Sequence, residues 1–521
     1  MSIDQHFQLP EQLPFHCGAT IGRGSYATVK LCRYDQRPDV YAVKFINKPV
    51  AISPQGGLTL KQIGAEVQLH KLCTGHPNIV DFIDSDEDNI WRWVVMEWAR
   101  GGDLFDKIEP DVGVEPDIAH FYFQQMIAGV RFLHERGVAH RDIKPENVFL
   151  DGDGNLLIGD FGLAAMFRHK GITKYVKGKV GSLPYLAPEV VMAEKYDAAK
   201  VDVWSCGVVL FVLLLGTCPW DEPAPFNPEF SHYARGGLYE PWDKLDLDAL
   251  GLVRGMLMVD PERRMTIDDV ERHPWFTRRN PMRADNGQCT DPLLLATRLL
   301  EKLQVDLEEA AARAKSDRSM SDVTIRSGDA YDWRETGFSA TQPDYRRTTE
   351  FDDIRMGNGF VSASQPQART VLVDDEILNS LADDPSMSQF SPTQGISETL
   401  TQKARRFNDI CPAERLTRFY VAVDLPTFLP ILSNALQRMG VPNTNIPSLQ
   451  PAGLTAATVR IQHVDQRKLQ MHGEIQVQRY AKGRKGDVYT VQFHKKVGDP
   501  LEWRRFFKGI ARECREVIVT A

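Results

Sequence analysis

The sequence has no Cys-x-x-Cys pair. Its eight cysteines are scattered over 521 residues without regular spacing, which argues against a zinc site or a disulfide framework and for reduced thiols in an intracellular compartment. A long uninterrupted apolar run is also lacking. The longest stretch, Val201 to Trp220, is broken by Asp202, Ser205 and Gly216, so its continuous part falls short of the roughly 18–20 residues a membrane span needs. It reads as a buried helix of a soluble protein. Met1 to Pro10 carries no charged stretch followed by an apolar one, so no signal peptide is expected there. Positive charge is not in excess: 62 Lys and Arg against 70 Asp and Glu leave a formal net charge of −8, which gives no reason to expect direct nucleic-acid binding. No internal repeats stand out.

What is present is the composition of a soluble globular protein, 42% apolar and 25% charged, in a chain long enough for two or three domains. Three regimes follow one another. Residues 15–277 are rich in alternating and helical apolar patterns. Residues 278–400 form a linker. It begins with a helix in which Leu293, Leu294, Ala296, Leu299, Leu300, Leu303 and Leu307 recur at helical spacing after Asp291-Pro292; this helix either packs on the first domain or caps the linker. From about 316 to 400 Ser, Thr, Asp, Gln and Pro dominate, and so polar a segment is expected to be disordered. In residues 401–521 order returns. Phe428, Leu432, Leu436 and Met439 mark a helix stopping at Gly440. Val459 with Ile461, Ile475 with Val477, and Tyr489 with Val491 and Phe493 alternate as strands. A last helix opens at Asp499-Pro500 and gathers Trp503, Phe506, Phe507, Ile510, Cys514 and Val517 on one face. This is a small α+β domain.

The chemistry-bearing motifs lie in the first regime. Ile21-Gly22-Arg23-Gly24-Ser25-Tyr26-Ala27-Thr28-Val29 is a glycine-rich hairpin of the kind whose backbone closes over nucleotide phosphates, with Ala27 in place of a third glycine. Tyr41-Ala42-Val43-Lys44 follows at strand spacing. His140-Arg141-Asp142-Ile143-Lys144-Pro145-Glu146-Asn147 precedes Asp160-Phe161-Gly162 and then Ala187-Pro188-Glu189. This ordered set resembles the eukaryotic protein kinases over about half the chain.

The resemblance implies an α+β class and a bilobal protein-kinase fold, with a β-rich N-lobe and an α-rich C-lobe, followed by the disordered linker and the small C-terminal domain. It implies ATP and Mg²⁺ as cofactors. Phosphoryl transfer asks for positioning and charge neutralisation, and the implied roles follow that logic. Asp142 orients the substrate hydroxyl, and Lys144 meets the γ-phosphate. Asn147 and Asp160 give oxygen ligands to the metal. Lys44 holds the α- and β-phosphates, fixed by Glu66 on the next helix. Ile21, Gly22, Gly24, Val29 and Ala42 belong to the nucleotide pocket, Met96 to its back, and Glu97, Trp98 and Ala99 to the segment whose backbone pairs with adenine. Asp103 is placed to take the ribose. Phe149 fits either the adenine floor or ordinary core packing. Asp202 is expected to hold the catalytic loop from below, and Arg264 to pair with Glu189.

Ser182, in Gly181-Ser182-Leu183-Pro184-Tyr185, and Lys144 imply a serine/threonine enzyme. Glu146 resembles the carboxylate by which basophilic kinases read an arginine three residues before the target; a solvated loop glutamate is the blander alternative. Kinases related to the AMP-activated kinase carry an activating threonine where this chain has Gly178. Thr173 and Tyr175 are offset from that position, so Arg141 is left without a phosphate partner. An activation segment ordered without phosphorylation is expected.

Ser-Gln or Thr-Gln pairs occur at Thr341, Ser364, Ser388, Thr393 and Thr401, all in or at the edge of the linker. They look like phosphorylation targets of DNA-damage checkpoint kinases related to phosphatidylinositol kinases. With Asp202-Val203-Trp204-Ser205-Cys206-Gly207, Cys218-Pro219-Trp220 and Arg415-Leu416-Thr417-Arg418-Phe419, they resemble the checkpoint branch of the calcium/calmodulin-dependent-kinase-like group. The last domain resembles that group's kinase-associated regulatory domain. Its basic residues, in Lys482-Gly483-Arg484-Lys485-Gly486 and at Arg504 and Arg505, could dock on an acidic face of the kinase domain or on acidic phospholipid, or form a solvated tip.

The resemblance thus implies a monomeric, arginine-directed kinase of the DNA-damage and replication checkpoint, in nucleus and cytoplasm. Its implied partners are protein substrates such as cell-cycle phosphatases, an upstream checkpoint kinase, and its own C-terminal domain, which restrains it until the linker is phosphorylated. A nutrient or polarity kinase related to the AMP-activated group is the alternative. A kinase fold serving only as a scaffold ranks below both.

Overall fold

Alternating apolar residues in the first hundred positions pair into an antiparallel sheet. The computed structural model describes residues 9–303 except 11, 36 and 55, then 305, 373–390 except 383 and 385, 406–411, 416–441, 456–465, 469–483 and 486–520. The first sheet holds β1 (His16–Arg23), β2 (Ala27–Arg33), β3 (Val40–Asn47), β4 (Phe82–Glu87) and β5 (Trp91–Glu97) in the order β1-β2-β3-β5-β4. Period-two alternation sends Cys32, Val43, Phe45, Trp91, Trp93 and Val95 to one face, where they pack with Phe15. Helix α1 (Leu60–Leu72) starts at Thr59, whose side chain and that of Gln62 form a reciprocal capping box. It buries Ile63, Glu66, Val67, Leu69 and His70.

The second lobe is helical. Helix α2 (Pro116–Glu135) and α3 (Ala198–Leu215) cross its centre. By length and composition α3 could span a membrane, yet 83% of it is buried inside the protein, and Gly216 ends it in the left-handed region at φ 67°. The polar residues that interrupt it are used: Ser205 donates to Tyr185 O at 2.9 Å, and Asp202 turns toward the catalytic loop. Strands β6 (Val148–Leu150) and β7 (Leu156–Ile158) follow that loop as a hairpin. Helix α4 (Pro292–Lys302), capped by Asp291, buries Leu295, Ala296, Leu299 and Leu300. It packs on the kinase lobe, where Arg298 pairs with Glu115 at the start of α2.

One segment departs from the sequence reading. Residues 373–390, within the stretch whose polar composition predicts disorder, hold helix α5 (Asp375–Ala382) and a 3₁₀ turn, Met387–Phe390. Val373, Ile377 and Leu381 recur every four residues, and with Met387 they pack on Tyr420, Val488 and Val519. That apolar face is short enough to be hidden by its polar surroundings. The remaining expectation of disorder falls outside the described residues.

The C-terminal region forms β8 (Arg418–Val421), α6 (Leu425–Arg438), β9 (Ala456–Val464), β10 (Gln470–Lys482), β11 (Asp487–Val497) and α7 (Pro500–Glu513). Its antiparallel sheet runs β8-β11-β10-β9. Val459, Ile461, Ile475, Val477, Val491 and Phe493 join Phe428, Leu432 and Leu436 of α6 and Phe506, Phe507 and Ile510 of α7 in the core. The other side of α7 meets the kinase lobe. Arg504 donates to Ile108 O at 2.6 Å and pairs with Asp106 at 3.2 Å. Arg505 pairs with Asp111, and Lys508 with Glu109. Lys107, buried in turn, donates to Cys411 O at 3.0 Å.

Candidate active site

The cleft between the lobes is assembled from four stretches of chain. Lys44 lies on β3 with Val29 and Val94 as its neighbours across the sheet. Its Nζ is 2.7 Å from Glu66 Oε1 on α1 and 2.8 Å from Asp160 Oδ1. Burial alone would lower the Lys44 ammonium; the two carboxylates outweigh it and raise it well above its ordinary value. Reciprocally, the Lys44 charge holds Asp160 well below the usual carboxylate range.

Asp160 has left-handed backbone, φ 59°, and accepts from Gly162 N at 3.4 Å to cap the turn Phe161–Leu163. Phe161 fixes this turn from beneath. Its ring stacks on His70 at 4.6 Å and meets His140 edge-on at 5.6 Å. The sequence reading gave these two histidines no role. His70 lies one helical turn beyond Glu66, a spacing that could have flagged it. His70 is held by Val80 O at 2.7 Å and His140 by Gly159 O at 2.8 Å.

The catalytic loop hangs from α3. Asp202 accepts the backbone N–H of His140 at 2.9 Å and of Arg141 at 2.8 Å, and pairs with His134 at 2.8 Å. Arg141 takes φ 65°, a conformation costly for a side-chain-bearing residue, and these bonds hold it there. The Asp142 carboxylate accepts from Asn147 Nδ2 at 2.8 Å and from Ser182 Oγ at 3.0 Å, with Lys144 Nζ 3.0 Å away. Lys144 also donates to Ser182 Oγ at 2.6 Å. Burial would lower the Lys144 ammonium, but the neighbouring carboxylates, Asp142 foremost, raise it above its ordinary value. Gly181, at φ 115°, lets the activation segment approach, since a Cβ there would lie 2.9 Å from Arg141 O. Arg141 itself donates to Leu163 O, Lys177 O and the Tyr196 hydroxyl, so its guanidinium is engaged by backbone and Tyr196.

The nucleotide side lies above. Ile21 is exposed. Gly24 N donates to Ala27 O at 2.8 Å and Thr28 Oγ1 to Gly22 O at 3.2 Å, closing the hairpin. Ala27, where a third glycine was missing, packs its methyl with Ile46, Ala51 and Ile63. Ala42 and Met96 are cross-strand partners. Glu97 N donates to Asp81 O at 2.9 Å, which leaves the N–H of Ala99 as a donor in the connecting segment. The Phe149 ring lies against Gly159, within 2.9 Å of where a Cβ would stand. Asp103, paired with Phe149 across the short ladder, accepts from Asp106 N at 2.9 Å. Burial, then the Asp106 charge, push its carboxyl up to about 8.

The donor set suits a hard divalent cation. Asn147 Nδ2 is spent on Asp142, which leaves its Oδ1, and Asp160 adds carboxylate oxygen. Among the described residues no three His, Cys, Asp or Glu side chains group to hold a metal by themselves. Two oxygen ligands completed by phosphate and water is how Mg²⁺ binds at phosphoryl-transfer sites.

Glu146 lies below this cleft. Its Oε2 is closed off from solvent without a hydrogen-bond partner. Burial raises its carboxyl above the ordinary range, while Lys144 and Lys495 pull it down and Asp499 pushes it up. Lys495, near the end of β11, and Asp499, which caps α7, bring charges of the C-terminal domain within electrostatic range of this carboxylate. Among the glutamine-directed positions, Ser388 sits in the turn Met387–Phe390. The following Gln389 is wholly buried, its amide bonded to Arg418 O and Leu416 N. Thr341, Ser364, Thr393 and Thr401 lie outside the described residues, as do Arg484 and Lys485 of the basic loop.

Residues 15–276 match the protein kinase domain family. Serine/threonine-protein kinase chk1 of Schizosaccharomyces pombe is 40% identical, over 98% of each chain. Serine/threonine-protein kinase CHK1 of Saccharomyces cerevisiae is 35% identical over 100% of this chain and 99% of its own length. Serine/threonine-protein kinase grp of Drosophila melanogaster is 32% identical over 81% and 79% respectively.

Proposed function

The chain belongs to the protein kinase family, as one of its Chk1-type serine/threonine kinases, and on that premise we propose that it phosphorylates arginine-directed protein substrates and is restrained by its own C-terminal domain. ATP with Mg²⁺ supplies the phosphoryl group and neutralises its charge when bound. Asp160 and Asn147 would hold the cation. Lys44, steadied by Glu66, orients the phosphates. Asp142 accepts the hydrogen bond of the incoming serine or threonine hydroxyl and aims it in line. Lys144, now shared between Asp142 and Ser182, is placed to meet charge that develops on the transferred group.

The observation that carries the finer reading is the unpartnered oxygen of Glu146. A buried carboxylate oxygen without a donor is costly, and a substrate guanidinium supplies the donor it lacks. The same carboxylate feels the charges of Lys495 and Asp499, which supports restraint by occlusion: a substrate arginine and the docked domain compete for one place. Kinetics with peptides carrying Arg or Ala three residues before the target test this. In the wild type the Arg peptide has the higher kcat/KM; in Glu146→Gln the two converge. A preference undiminished in Glu146→Gln would overturn the arginine reading.

Linker phosphorylation by an upstream checkpoint kinase is taken to loosen this restraint. At Ser388 the buried Gln389 must first leave its pocket for such a kinase to read it. Cell-cycle phosphatases as substrates, a monomeric state, and residence in nucleus and cytoplasm complete the reading. Full-length relatives named for Chk1 favour it over the nutrient or polarity alternative.

A further inference from the structure

Two cysteines that the kinase chemistry does not use face each other across the hairpin bearing the glycine-rich turn. Cys17 of β1 and Cys32 of β2 are register partners, and Cys32 donates its thiol hydrogen to Cys17 across 3.2 Å between sulfurs. Directly opposed residues of antiparallel strands have Cα atoms about 4.5–5.5 Å apart, inside the roughly 4.4–6.8 Å that disulfides span. A bond between them needs no strand movement. The two thiols are also unlike. Cys17 is half-buried, while Cys32 is buried among Phe15, Val43, Phe45 and the Trp91 and Trp93 rings. The hydrogen bond from Cys32 lowers the Cys17 thiol below its ordinary value; burial opposes this and the Lys30 ammonium assists. Lys30 is anchored beside the pair by Thr20 Oγ1 at 2.8 Å. Cys32 is pushed far up by the same hydrogen bond and by burial. A half-buried thiol held below its ordinary value, directly opposite a buried thiol held above it, is the arrangement of an attacking and a resolving cysteine.

We propose that Cys17 and Cys32 form a peroxide-reactive dithiol site whose oxidised form is a disulfide across the β1–β2 hairpin. The Cys17 thiolate attacks a hydroperoxide. The O–O bond breaks, Cys17 becomes a sulfenic acid, and the peroxide leaves, after taking a proton, as alcohol or water. Cys32 sulfur then attacks the sulfenic sulfur. The proton that Cys32 now donates to Cys17 departs with the hydroxyl as water, and the S–S bond closes. Two electrons leave the sulfurs and two reduce the peroxide. Cys289, the other half-buried cysteine, has its thiol pushed up to about 11, chiefly by burial, and stays reduced.

The position gives the bond a consequence. Between Cys17 and Gly22 the β1–β2 pairing shifts register twice, which leaves slack at the base of the turn that must follow ATP. A cross-link at Cys17 removes that slack.

The test uses the full chain, reduced, exposed to hydrogen peroxide, alkylated, digested and weighed by mass spectrometry. The expected product is a Cys17–Cys32 peptide pair about 2 Da lighter than its reduced parts together, lost on treatment with dithiothreitol. In Cys32→Ser, oxidation stops at a dimedone-trapped sulfenic acid on Cys17. Oxidation also raises the KM for ATP, but not that for peptide, in the wild type and leaves Cys17→Ser unaffected. Recovery of both cysteines alkylated, or of sulfonic acid on Cys17 beside alkylated Cys32, would overturn the site. An unchanged KM for ATP in cross-linked protein would overturn its link to the nucleotide.

Discussion

Lys508→Ala deletes the cation that Glu109 faces across the contact between α7 and the kinase lobe. The two side chains are 8% and 15% exposed, so the pair is nearly dry, and Glu109 Oε2 has no partner of its own. Burial pulls the Lys508 ammonium below its ordinary value against the opposing pull of Glu109, a sign that the contact is held at some cost. Deleting one member of a buried pair costs about 3–5 kcal/mol when the other stays dry. Here the stranded carboxylate regains water once α7 lifts, and Arg504 still holds Ile108 O and Asp106. The docked state therefore loses less, about 1–3 kcal/mol, or roughly a 5–150-fold shift in the docking equilibrium. Initial rates of the full-length protein on an arginine-directed peptide, well below its KM, should rise within that range. Adding Glu109→Ala removes the stranded carboxylate, so docking recovers and the rate falls back toward wild type. A folded Lys508→Ala protein with wild-type kcat/KM would refute the reasoning.

Three further outcomes are expected. Asp142→Asn should lower kcat by about 10²–10⁴-fold while the melting temperature stays within a few degrees, as measured by peptide phosphorylation and differential scanning fluorimetry. Arg264 is fully buried, bonded to both Glu189 oxygens at 2.6 and 2.8 Å and stacked over Trp204, so Arg264→Ala should cost about 3–5 kcal/mol in urea denaturation. Asp103, pushed up to about 8, holds a proton that the unfolded chain releases near pH 4. Its stabilisation is full below that pH and falls as pH rises, levelling near 8; Asp103→Asn should flatten this slope in melts between pH 5 and 8.

Where chemistry sits in consecutive residues, the sequence was readable. The loop His140–Asn147 and the Asp160-Phe161-Gly162 turn each carry their own geometry, and Lys44 could be matched to Glu66 because a strand leads into a helix of recognisable pattern. Alternation placed β9, β10 and β11, and spacing placed α6 and α7. Local pattern failed where a feature depends on distant chain. Strand β8 spans only Arg418–Val421, too short to show a period. Helix α5 owes its burial to Tyr420, Val488 and Val519 rather than to its own composition. The electrostatic coupling of Lys495 and Asp499 to Glu146, and the pairing of Lys508 with Glu109, join residues almost 350 to 400 positions apart. No window of sequence contains both sides. His70 and His140 were passed over for another reason: each works by packing on Phe161, and a ring contact leaves no motif.

The central claim is that the docked C-terminal domain and a substrate arginine exclude one another. Asp111→Cys with Arg505→Cys, joined by a short bismaleimide, would lock α7 on the kinase lobe, with each single substitution labelled alone as the control. Nucleotide binding should survive in the locked protein while phosphorylation of the arginine-directed peptide is lost. Locked protein that phosphorylates the peptide at the rate of the singly labelled controls would contradict the account.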